Sequence, residues 1–322
     1  MTSAAQSRIR LQQRVERIIK ATPPIKSGNS IAFIMGKKGK KSQAGKPKKL
    51  SPKDVGKRLE ALVKKLEEEL KGADLFAPLP RTEDCPICCI PLPRIVNKFT
   101  FKSCCGQTIC LGCENENSTF VRKKNKASDA QMCPFCRAPV PFPDELLLQL
   151  EERGMKGSGE AYAYLGRIYL YGDYQVAIDE LKAFDYLIRG AELGSSEACG
   201  RIASCYDEGT FVRYNEKRAA LLETVAAVRG CVVSRNNIGV AEYNSENYEL
   251  GIRHWKIAAE AGNQIPLDAL KRVYNADGKL PGLEFIDKDD LDEICRKCHE
   301  AQEMRKSPER EKHFHEEDMW KC

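Results

Sequence analysis

The chain has 322 residues, enough for about two compact domains, and its 42% hydrophobic content supports a folded core. No stretch approaches the roughly 18 apolar residues that a membrane-spanning helix requires, so no transmembrane helix is expected. The net charge of +6 is uneven: residues 1–80 carry 19 Lys or Arg against 7 Asp or Glu, so +12, and the remainder is at −6.

The start, Met1-Thr2-Ser3-Ala4-Ala5-Gln6, lacks the apolar core of a signal peptide, so the expected compartment is cytoplasmic or nuclear. Ser7 to Lys20 places Ile9, Leu11, Val15, Ile18 and Ile19 at rough helical spacing with a basic polar side. On its own such a helix is marginal in water. Residues 21–50 combine Pro23-Pro24, glycines and two lysine clusters, Lys37 to Lys41 and Lys46 to Lys49. This composition cannot bury a core, so residues 1–50 are expected to be a disordered basic tail. The lysine clusters resemble a nuclear-import signal or a weak nucleic-acid patch that grips phosphates.

Ser51-Pro52 opens a helix, with a capping serine before a proline at the first helical position. Val55, Leu59, Leu62, Val63 and Leu66 form an apolar stripe that runs to about Leu70. It covers barely two heptads, so packing on the following domain is expected over a dimer seam. Pro78 and Pro80 end helical structure in this 51–80 segment.

Nine of the fifteen cysteines lie between residues 85 and 136. Three Cys-x-x-Cys hooks (Cys85/Cys88, Cys110/Cys113, Cys133/Cys136) and the pair Cys104-Cys105 supply eight thiols, enough for two closed tetrahedral zinc sites. A disulfide framework would need an oxidising compartment, and a thioredoxin-like site needs one hook, not three. Cys89 is the odd thiol, expected to pack or to sit free.

This stretch, 81–141, resembles a RING-type zinc finger, a small α+β unit stapled by two zinc ions. The resemblance implies interleaved ligands: Cys85, Cys88, Cys110 and Cys113 on one ion, and Cys133 and Cys136 on the other with the middle pair. The usual histidine of that family falls at Gln107, and no histidine occurs before His254. Cys104 and Cys105 together are expected to complete the second site, with Cys104 or Gln107 as its eighth ligand. By the same resemblance, Ile87 and Pro134 match the apolar rim that meets a ubiquitin-conjugating enzyme. Arg137 matches the arginine that bridges that enzyme and ubiquitin.

Residues 142–156 read as a linker helix with a glycine stop near Gly154. From Gly157 the chain repeats: Ala161, Leu165, Gly166, Tyr169 and Gly172 return 37 residues later as Ala198, Ile202, Ala203, Tyr206 and Gly209. Gly190-Ala191-Glu192-Leu193-Gly194 recurs as Ala226 to Gly230 and again as Ala258 to Gly262. Small residues let one helix approach the next, larger ones fill the space between, and glycines 172, 194, 209, 230 and 262 form left-handed caps. A shorter turn falls at Asn244 to Asn247. Ile265 to Tyr274 reads as a fourth first-helix, and Lys288 to Met304 as a capping helix. This pattern is similar to Sel1-like repeats, relatives of the tetratricopeptide repeat. It gives a helical-repeat solenoid over 157–306 and a tail at 307–322. A RING-type finger followed by such repeats resembles a group of proteins numerous in diatoms.

Near the end, Cys295-Arg296-Lys297-Cys298-His299 matches a haem-attachment string, but its helical spacing with Leu291 and Ile294 reads as packing. No phosphate loop or nucleophile elbow is present in the sequence. The expected fold is therefore multidomain, an α+β finger before an all-α solenoid. The resemblances imply a ubiquitin ligase adaptor of RING type that positions a charged conjugating enzyme, with the repeats binding substrate or scaffold partners. The alternative is a non-catalytic protein-protein interaction scaffold whose zinc sites are structural.

Overall fold

A computed structural model describes residues 51–94, 99–123, 132–276 and 280–303. The basic segment 1–50, its amphipathic stretch and lysine clusters, and the tail 307–322 lie outside these residues. Helix α1 spans Pro52–Lys71 and is followed by the cysteine-rich finger. There β1 (Phe99–Lys102) and β2 (Gln107–Cys110) pair antiparallel, Phe99 opposite Cys110 and Lys102 opposite Gln107, before α2 (Leu111–Lys123). The linker helix α3 spans Pro143–Met155. Seven repeat helices follow among the described residues: α4 (Gly159–Tyr171), α5 (Glu180–Glu192), α6 (Ser196–Glu208), α7 (Glu216–Val228), α8 (Val232–Asn244), α9 (Tyr248–Glu260) and α10 (Gln264–Tyr274). The last described helix is α11 (Lys288–Glu303).

The repeat helices pack as pairs, α4 with α5, α6 with α7 and α8 with α9, and each pair packs on the next. Polar residues start most of them: the side chains of Ser158, Asp179, Ser195 and Asn215 each accept an N–H of the first turn. Gly172 and Gly209 end α4 and α6 in the left-handed region, at φ 73° and 68°. Gly166 serves a different need. A Cβ there would come within 2.6 Å of the Leu187 side chain, so the α4–α5 approach depends on its absence. α10 and α11 close the stack around Trp255, Leu267, Leu270, Leu291 and Ile294. Cys298 is buried in that cluster, Cys295 packs beside it, and His299 is exposed. The haem-like string is one turn of α11, with its two cysteines on the packed face.

α1 is capped as its sequence implies: Ser51 Oγ accepts from Asp54 N at 3.2 Å, and Asp54 Oδ2 accepts from Ser51 N at 3.4 Å. Its destination corrects the expectation that it packs on the next domain along the chain. The stripe from Val55 to Leu70 skips the finger and packs across α5 and α7, in one cluster with Phe184, Leu187, Leu222 and Val225. Charge pairing fixes this register. Arg218 forks onto both oxygens of Glu60 at 2.7 Å, Arg229 onto Glu69 at 2.9 and 3.1 Å, and Arg58 pairs with Asp185. Phe76, beyond the helix, lies under the Arg253 guanidinium.

The linker helix also departs from expectation. Gly154 is helical rather than a stop, because the Tyr162 ring leaves no room for a Cβ, 2.3 Å from its nearest atom. The left-handed residue is Gly157, at φ 97°. No described helix is long and apolar enough to cross a membrane.

Candidate metal centres

Two of the three hooks are one loop built twice. Around Cys85, Asp84 bridges Pro91, Cys85 N donates to Ile90 O at 2.9 Å, and Cys89 N donates to Cys85 O at 2.8 Å. Around Cys133, Met132 bridges Pro139, Cys133 N donates to Ala138 O at 2.7 Å, and Arg137 N donates to Cys133 O at 3.0 Å. The residue after the second cysteine is left-handed in both, Cys89 at φ 56° and Arg137 at φ 62°. Cys110 ends β2 and Cys113 lies one helical turn on in α2, on the same side of the helix.

These elements gather eight sulfurs into two groups, Cys85, Cys88, Cys110 and Cys113, and Cys104, Cys105, Cys133 and Cys136. Within each, all ligand atoms lie within 4.8 Å of one another. Cys88 and Cys110 sulfurs are 3.9 Å apart, Cys105 and Cys133 3.9 Å, and Cys104 and Cys136 3.4 Å. A tetrahedral ion with Zn–S bonds near 2.3 Å needs sulfur–sulfur edges of about 3.8 Å. The groups alternate along the chain, so each closes a loop through the other.

The electrostatics calls for a cation. Burial opposes ionisation of Cys85, but main-chain N–H groups of Cys110, Cys88 and Ile87 bring its thiol down to about 7. Burial, reinforced by neighbouring thiols, pushes Cys104 and Cys113 far above the ordinary thiol range. Burial also raises Cys105, against one N–H from Gln107. Four such thiols ionise together only around a positive ion, and an all-thiolate set suits a soft or borderline metal such as zinc. Gln107 thus meets Cys105 through its main chain, while the fourth sulfur of this group belongs to Cys104. The first group is the more enclosed, with Cys85, Cys110 and Cys113 buried; in the second only Cys133 is, and Cys136 is exposed. Cys89 is exposed and belongs to neither.

Ile87 stands 40% exposed on the first hook. The same place on the second hook holds Phe135, 47% exposed, which the sequence reading passed over although Cys-Pro-x-Cys occurs in both. Pro134 is half-buried, and Arg137 is exposed with Nη1 3.3 Å from Asn117 Oδ1 in α2. A second residue without a signal in the sequence is Arg153 of α3. Its Nε and Nη2 donate to the carbonyls of Ser103 and Cys104 at 3.1 and 2.6 Å. A cavity of about 690 Å³ separates the finger from the repeats, bordered by Glu83, Phe101, Glu160, Glu197 and Arg201. Partial desolvation by the surrounding protein raises the carboxyl of Glu160, whose side chain still meets solvent, with Glu197 and Glu83 adding to the effect.

The Sel1 repeat matches this chain at residues 159–195, 196–222 and 242–263, which are α4–α5, α6 into α7, and the end of α8 through α9. Residues 159–222 and 242–263 are thus Sel1 repeats. Among solved structures, the chain is similar to a Sel1 repeat protein from Oxalobacter formigenes, at 19% identity over 58% of this chain and 72% of that one, TM-score 0.43. It is also similar to a protective antigen present in uropathogenic Escherichia coli strains displaying an SLR fold, at 23% identity over 48% of this chain and 33% of that one, TM-score 0.40. No curated protein matches the sequence.

Proposed function

With Sel1 repeats as the premise, we propose that this chain is a zinc-bound adaptor of RING type. In this reading the finger holds a ubiquitin-charged conjugating enzyme while the repeats hold a protein substrate or scaffold partner. The observation that carries it is the alternation of two four-cysteine groups along one short finger. Cys85, Cys88, Cys110 and Cys113 hold one zinc; Cys104, Cys105, Cys133 and Cys136 hold the other. Zinc supplies cross-links here and no proton or electron transfer. Ile87 and Pro134 offer apolar surface to the conjugating enzyme, and the Arg137 fork orders the reactive thioester.

The test is discharge of ubiquitin from a charged conjugating enzyme to free lysine, with a panel of such enzymes. Wild-type protein accelerates discharge. Ile87→Ala weakens docking by roughly 1–3 kcal/mol, and Arg137→Ala leaves docking intact but slows discharge. Variants that match wild type at equal zinc content refute the roles of Ile87 and Arg137. The second reading, a scaffold with structural zinc, is favoured by the adjacent pair Cys104-Cys105 where the family carries histidine. No acceleration with any enzyme selects it.

A further inference from the structure

The second cysteine group has a geometric difficulty that the first lacks. Cys104 and Cys105 are neighbours, and successive side chains of an extended chain point to opposite sides. Aiming both sulfurs at one ion requires a tight turn. The hooks at Cys85 and Cys133 each close themselves with two main-chain hydrogen bonds. The turn after β1 closes with Gly106 N donating to Lys102 O at 2.7 Å, and its next two carbonyls take a side-chain donor. Those two, of Ser103 and Cys104, are the pair that Arg153 takes.

We infer that Arg153 is a positioning residue for the second metal site. It holds the Ser103–Gly106 turn in the one shape that presents Cys104 and Cys105 together, and so makes this site dependent on α3. The inference rests on the zinc reading above. Its geometry is over-determined. Gln149, one turn earlier on α3, accepts from Ser103 Oγ at 2.8 Å. Gly106 is left-handed at φ 74°, and a Cβ there would lie 3.3 Å from Arg153 Cδ, so the side chain lies flat along the turn. Phe101 packs into the cluster of Leu146, Leu150 and Leu165, which seats β1 on α3 and α4. Two parallel N–H donors suit two successive carbonyls as a single ammonium does not, and the guanidinium adds positive charge beside a centre of four thiolates.

The test uses the full zinc-loaded chain and a chromophoric chelator in excess, with alkylation of freed thiols read by mass spectrometry. In Arg153→Ala one of the two zinc ions is expected to leave about 10–100 times faster, the usual size of an outer-sphere effect on a metal site. The thiols freed with it are Cys104, Cys105, Cys133 and Cys136. The other ion and the helical melting curve stay at wild-type values. Arg153→Lys keeps the charge and loses the fork, and is expected to stay fast. Wild-type release in Arg153→Ala, equal acceleration of both ions, early labelling of the Cys85 group, or full rescue by lysine would each overturn the inference. A wild-type chain that takes up no zinc overturns the zinc reading itself and this role with it.

Discussion

The finger and the repeats are held together by different physics. The buried cluster of the finger consists of Cys85, Cys110, Cys113, Cys133 and Ile109, so among the described residues four of its five members are thiols. The main cluster of the repeats gathers leucines, isoleucines and alanines from α5, α6 and α7, and α1 adds its own stripe of six. A unit with that core folds by removing apolar surface from water. A unit cored by thiols folds only as far as something binds them. The comparison also shows where the two meet. Arg153 reaches the finger from α3, Arg94 donates to the carbonyl of Pro80, and Pro80 lies against Gly230 at the turn after α7. The finger leans on the repeats, and the main core of the repeats draws nothing from it.

The largest expected effect follows from that asymmetry. A strong chelator should unfold the finger while most of the helical circular dichroism remains, because among the described helices α2 alone lies in the finger. Loss of both in one transition would mean that the repeats depend on the finger after all. Next in size, Leu66→Ala should cost about 2–5 kcal/mol in chemical denaturation of the repeats, since Leu66 is fully buried between α1 and its neighbours. Zinc content should not change. A loss below about 1 kcal/mol would show that α1 sits loosely on the stack, contrary to the burial of its stripe.

The smallest effect is at the cavity between the two units. The Glu160 carboxyl is raised, first by partial desolvation and then by Glu197 and Glu83. A group raised on folding stabilises below its ordinary value and loses that contribution as pH climbs through the raised one. Glu160 is solvent-exposed, which screens this effect, so at neutral pH Glu160→Gln should raise the melting midpoint by no more than about 1 °C, and the gain should vanish at acid pH, where the native carboxyl is also neutral. A fall in the midpoint at neutral pH would mean that the carboxylate has a cationic partner in solution.

Much of the repeat region was legible in the sequence, because each unit is local. Ala161 to Gly172 recurring at Ala198 to Gly209 fixed helix, cap and spacing together, and the short turn at Asn244 followed the same logic. The eight cysteines were equally legible as donors. What periodicity does not carry is the destination of a face. The stripe on α1 is plain, but its pairing of Glu60 with Arg218 spans 158 residues, and nothing near either residue announces it. Arg153 was hidden for the same reason, its carbonyl partners lying 49 and 50 residues away. Gly154 misled because a glycine near a helix end usually marks a stop, whereas here Tyr162 requires a missing side chain.

The central claim is that the eight gathered thiols are two metal sites, and native mass spectrometry of the zinc-supplied chain tests it most directly. The account predicts two zinc ions per chain, one after Cys136→Ser, and two after Ile87→Ala or Arg137→Ala. A wild-type chain carrying one ion or none, or a Cys136→Ser chain that keeps both, would contradict it.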